Sequence, residues 1–111
     1  MADFRDPRLD DPVDALSDLA EKADADYATA VNECAVAENA LDKAYYSHLA
    51  ECEERSAAGR EQYAKHHTVD ERAVSRIKAA VEKSADKHLR TTLARLSAAQ
   101  TKHRSVDRLA G

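Results

Sequence analysis

Glycine, proline and large apolar side chains are all scarce in these 111 residues. Two Gly and two Pro leave too few turn-formers for a small β-sandwich or barrel, and one Phe with no Trp removes the aromatic residues such folds use. Leu, Ile, Val and Phe together supply 18 residues against 23 Ala. Alanine buries little area, so a thick globular core is a poor way for this chain to offset its ordering entropy. The fold class left is all-α. Gly59 is the one glycine before the C-terminal residue, which excludes a phosphate-cradling Gly-rich loop. No stretch approaches the roughly 20 apolar residues that span a bilayer. Asp3, Arg5, Asp6 and Arg8 around Phe4 are unlike the apolar core of a secretory signal. Both features predict a cytoplasmic protein with no membrane partner.

What the chain does have is charge, at 34% of residues, with a net of -4. The sign is unevenly placed. Residues 1–67 carry 7 Lys or Arg against 16 Asp or Glu, whereas residues 68–111 carry 10 against 5. The two parts should attract one another.

Apolar spacing turns that asymmetry into an architecture. Residues 1–11 read as a flexible N-terminal arm, and Asp11, Pro12 and Asp14 then mark a helix start as cap, first residue and dipole-facing carboxylate. Val13, Leu16, Ala20, Ala23, Tyr27, Ala30, Cys34, Ala37, Leu41, Ala44 and His48 recur by steps of three and four, a heptad seam rich in alanine that permits close helix approach. Tyr45, Leu49 and Cys52 widen the stripe. Gly59 is the one weak point, and the spacing predicts a single helix over 12–65 running through it. A turn follows at 66–68, where Thr68-x-x-Glu71 fits a capping box. Val74, Ile77, Val81, Ala85, Leu89, Leu93, Leu96, Ala99, His103, Val106 and Ala110 then advance with period 3.6, predicting a second helix over 69–109. Residues 12–110 thus form one domain, an antiparallel, coiled-coil-like hairpin of two long helices. Its thin seam leaves Tyr45, Leu49, Cys52, Leu89, Leu93 and Leu96 as candidate protein-interaction residues. Their coverage by a second copy predicts a homodimeric four-helix bundle, with an elongated monomer or a different protein partner as the alternatives.

Signs of site chemistry are absent. None of His48, His66, His67, His88 and His103 has an acidic residue three positions before it, so the Glu-x-x-His pattern of helical di-metal proteins is missing and no metal or cofactor is expected. Cys34 and Cys52 would lie about 27 Å apart on one helix, too far to bond, and read as small seam residues. Glu38 with Asp42 and Glu82 with Asp86 share helix faces, but no second half of an acid–base site accompanies them. The expectation is no enzyme. Arg72, Arg76, Lys83, Lys87 and Arg90 form a basic stripe that can follow a phosphate backbone, the alternative being that it faces the acidic first helix and solvent.

The string RTTLARLSAAQTKHRSVDRLAG at 90–111, with the Ala, Asp and Arg bias of the whole chain, resembles small helical accessory proteins from phages of high-GC bacteria. The resemblance implies a phage-encoded protein that inhibits or regulates a host or phage protein, in recombination, virion assembly or counter-defence. The leading expectation is a non-enzymatic helical protein-interaction or modulator protein; nucleic-acid binding through the basic stripe and a purely structural coiled-coil spacer are the alternatives.

Overall fold

The computed structural model describes residues 12–110, with side chains as far as Val106. These residues form three helices and no strand: α1 (Pro12–Glu51), α2 (Ala57–His67) and α3 (Val69–Ala110). Pro12 opens α1 where its missing amide hydrogen costs no intrahelical bond, and Asp14 sits in the first turn. The expected arm, residues 1–11, and the expected cap, Asp11, lie outside the described residues. The protein is an all-α hairpin in which α1 and α3 pack antiparallel: Glu33 pairs with Lys78, and Ala37 and Ala40 lie beside Asp70, Glu71 and Val74.

The expected single helix over 12–65 is two helices, parted at 52–56 and not at Gly59. Glu51, Glu53 and Glu54 crowd like charge onto the negative end of the α1 dipole, which disfavours further helix. Ser56 then restarts it. Its backbone is extended (φ -81°, ψ 142°), and its hydroxyl accepts the Gly59 amide at 3.0 Å, while Arg60 Nε donates to the Glu54 carbonyl at 2.7 Å. A Cβ on Gly59 would come within 2.8 Å of Ser56 Oγ and 3.2 Å of Glu54 Oε2. The glycine makes room for the cap and does not break the helix.

The expected turn at 66–68 contracts to Thr68, because His66 and His67 belong to α2. The capping box is also corrected. Thr68 N–H bonds the Lys65 carbonyl, which strips the Ala64 carbonyl of its usual i+4 amide, and the fully buried Thr68 hydroxyl donates to Ala64 instead at 2.7 Å. The side chain therefore closes α2, while its carbonyl opens α3 by accepting the Arg72 amide at 2.9 Å.

The chain divides into two compact units, one of residues 28–84 and one that pairs the start of α1 up to Tyr27 with α3 from Ala85 onward. In the first, Ala30, Cys34, Ala64 and Thr68 are buried; in the second, Ala20, Ala23 and Thr92 are. Among the described residues no Leu, Ile, Val or Tyr is fully buried. Thr92 tolerates burial because its hydroxyl donates to the His88 carbonyl at 2.9 Å.

The inward line of α3 departs from the expected apolar row. Ser75, Lys78, Glu82, Ala85, Leu89, Thr92, Leu96 and Ala99 are sheltered and alternate steps of three and four; Asp86, next to Ala85, is half-buried as well. That is a heptad, whereas the apolar residues repeat every 3.6. The two progressions coincide at Ala85, Leu89, Leu96 and Ala99. Between 74 and 93 they otherwise miss by one residue, so Val74, Ile77, Val81 and Leu93 stand outside the seam, whereas His103 and Val106 keep its spacing and line a groove with Pro12 and Val13. From Ile77 to Leu93 the apolar row takes four successive steps of four where the seam alternates three and four, and this carries it from one residue before the seam to one residue after it.

Thr68→Val should cost about 1–2 kcal/mol in urea unfolding, the value of a buried hydroxyl–carbonyl bond whose acceptor is left orphaned. Gly59→Ala should change stability by less than about 0.5 kcal/mol, since the usual gain of roughly 1 kcal/mol in helix propensity is offset by the displaced Ser56 cap.

Candidate functional site

One side of the unit formed by residues 28–84 is apolar across both of its long helices. On α3, Val74, Ile77 and Val81 follow one another at helical spacing and are 48%, 61% and 46% exposed. On α1, Ala37 and Ala40 line a shallow groove with Val74 and the acidic Asp70 and Glu71 of α3, and Val36, four residues before Ala40, is exposed. The edge of this side carries the ion pair Lys78 Nζ–Glu33 Oε2 at 3.0 Å. Lys78 occupies a seam position, and its long stem carries the ammonium out to the glutamate. In heptad terms Ala40, Val74 and Val81 precede seam positions by one residue, which is the flank a helix adds to its seam when it joins a bundle of more than two. The other flank is charged: Glu38 and Asp42 on α1 and Arg76 and Lys83 on α3 are all exposed.

The candidate interaction residues fall in different units. Tyr45, Leu49 and Cys52 belong to one, whereas Leu89, Leu93 and Leu96 belong to the other. Only Leu93 is exposed; the other five are half-buried. The spacing did contain Val74, Ile77 and Val81, but as seam residues. In the basic stripe, Arg76, Lys83, Lys87 and Arg90 are exposed and Arg72 is half-buried. Arg90 Nε meets Asp86 Oδ1 at 3.2 Å on its own helix, and none of the five has an ion pair to α1.

At the end of α1 the stripe meets α2. The His48 ring stacks on His67 (centroids 5.2 Å apart, planes at 24°) and meets Tyr63 edge-on at 6.2 Å, while Tyr63 and His67 approach to 4.2 Å. His66 packs edge-on against His67 at 5.4 Å. This ring cluster holds α2 against α1. His48 Nδ1 is buried without a hydrogen bond, 3.4 Å from Glu51 Oε2. Among the described residues no three His, Cys, Asp or Glu side chains are placed to hold a metal ion.

Cys34 is a buried thiol, and its surroundings suppress it. The thiol is pushed up to about 11, first by its hydrogen bond to Glu82, then by burial and by the negative charges of Glu38 and Glu82. Its Sγ lies 3.6 Å from Glu38 Oε1. Activated thiols need cationic neighbours, and these are anionic. Both cysteines are free, and Cys52 lies just beyond the end of α1, so the two do not share one helix as expected.

No protein-family model matches the chain, and neither curated proteins nor solved structures give a match. No described helix is long and apolar enough to cross a membrane.

At pH 8 a thiol titrating near 11 is ionised to roughly one part in a thousand. Cys34 should therefore alkylate far more slowly than half-exposed Cys52, with a rate still climbing at pH 10. Glu82→Gln should move that rise to lower pH, toward the ordinary 9.0, in a mass-spectrometric time course at each pH.

Proposed function

We propose that this chain is a non-enzymatic helical protein-interaction module, a modulator that works through the apolar flank of residues 28–84. The observation that carries the reading is the inversion of burial. The buried side chains of this unit are Ala30, Cys34, Ala64 and Thr68, while Val36, Val74, Ile77 and Val81 face solvent. Single exposed valines are ordinary, but a strip spread over two helices is the mark of a binding surface. The resemblance of residues 90–111 to phage accessory proteins supports a modulating role toward a host or phage protein. Two free thiols support a cytoplasmic setting.

The nucleic-acid reading is weaker. Asp86 holds Arg90, and Glu82 and Asp86 stand among the cations of the same helix. At 50 mM salt the protein should show no DNA or RNA retention; retention that fell with salt and with neutralisation of Arg76, Lys83 and Lys87 would reverse this order.

The interaction reading is tested at sub-micromolar protein with an apolar fluorescent dye and urea unfolding. The native chain should bind the dye, and Val74→Ser, Ile77→Ser and Val81→Ser combined should abolish the signal without changing helicity. Ile77→Ser alone should shift stability by less than about 0.5 kcal/mol, as at a surface position. A loss of several kcal/mol together with no dye binding would make Ile77 a core residue and end the proposal.

A further inference from the structure

We propose that the apolar flank receives a basic amphipathic helix of another protein, with the apolar row of that helix over Val74, Ile77 and Val81 and a Lys or Arg side chain on Asp70 and Glu71. This rests on the interaction reading and adds the chemistry of the partner.

The groove at the start of α3 makes the choice. Ala37, Ala40 and Val74 give it a small apolar floor, and Asp70 and Glu71 give it an acidic wall. Glu71 is half-buried, yet its carboxylate has neither a hydrogen bond nor an ion pair. A capping box would have supplied one, since its glutamate accepts the amide of the cap residue. Here the Thr68 amide is committed to the Lys65 carbonyl, so Glu71 is released from that task and its carboxylate stays in the groove. The α3 dipole favours negative charge in this first turn, which lets two adjacent carboxylates stand without a cation of their own.

The rest of the flank does not answer that charge. Glu33 and Lys78 neutralise each other at 3.0 Å. Lys43, seven residues beyond Val36 on the same side of α1, pairs with neither carboxylate. What the flank offers is therefore an apolar row that ends in unanswered negative charge. A helix whose own apolar row ends in Lys or Arg complements both features at once. An uncharged or acidic helix would cover the two carboxylates and leave them unpaired, which is the costlier arrangement. From Asp70 to Val81 the row runs about 16 Å, the length of three helical turns. The small side chains of Ala37 and Ala40 let a third helix sit low between α1 and α3.

A surface-display library of three-turn helices tests the proposal, with the apolar row fixed as Leu and the flanking positions randomised among Lys, Arg, Gln, Ser, Asp and Glu. Selected on the full chain at low salt, binders should be enriched in Lys or Arg at one end of the row and bind with micromolar affinity. Glu71→Gln should cut the preference for Lys over Gln at that end at least threefold, and Asp70→Lys with Glu71→Lys should reverse it toward Asp or Glu. Ile77→Ser should weaken every selected binder at least fivefold. Glu38→Gln with Asp42→Asn, on the opposite flank, should leave binding within twofold. Helicity should be unchanged throughout.

Binders without a charge bias, or a bias that survives the double Lys substitution, overturn the basic partner and leave the strip to another occupant. A chain that selects nothing and dimerises in sedimentation equilibrium, with Ile77→Ser dissolving the dimer, gives the flank to a second copy and overturns it as well. A monomeric chain that selects nothing also overturns it, and dye binding then decides whether the strip is open to some other partner or the interaction reading falls too.

Discussion

Two helices in lasting contact touch along a line that repeats every 3.5 residues, and α3 carries its apolar side chains on a row that repeats every 3.6. Nearly every notable feature of the molecule descends from that difference. At Ala85, Leu89, Leu96 and Ala99 the row and the line coincide, so Leu89 and Leu96 are sheltered in the unit that includes the start of α1, while Leu93 between them is not. Over 74–82 they have slipped by one residue. Ser75, Lys78 and Glu82 then take the inward places opposite Cys34 and its neighbours, which accounts for a suppressed thiol and for a lysine that must reach outward to Glu33. The displaced valines and Ile77 become a surface.

The local chemistry at the end of α1 answers a different problem. A stripe that widens at Tyr45, His48 and Leu49 needs a second covering helix, and α2 provides it by turning back after an interruption of five residues. Three carboxylates stop α1, Ser56 starts α2, and the rings of His48, Tyr63 and His67 hold the two together. Thr68 alone then joins α2 to α3, with hydroxyl and carbonyl serving opposite helices.

Much of this architecture was legible in the sequence. The start of α1 at Pro12, the heptad of alanines, the change of direction near Thr68 and the extent of α3 all follow from spacing and composition. The break was legible too, but under another sign: Glu51, Glu53, Glu54 and Ser56 spell a stop and a start, whereas Gly59 draws the eye as the lone glycine. The strip was not legible as a strip. Apolar periodicity reports that a helix has a greasy row; where the contact line falls is set jointly with the partner helix, and a displacement of one residue decides between core and surface. Thr68 shows the same limit in small, since Thr-x-x-Glu marks a cap without saying which helix the hydroxyl will serve.

The alanine seam reverses the ordinary ranking of mutations. Cores built of leucine and phenylalanine suffer most from truncation, because a cavity remains where packing atoms were. At Ala20, Ala23, Ala30 and Ala64 there is almost nothing to truncate, and the side chains are already out of contact with solvent. Damage at these sites comes from added volume, and even one extra branched side chain must push a helix away along its neighbours' whole contact. Selection on such a protein guards smallness, so its inner positions are the ones least free to become more hydrophobic.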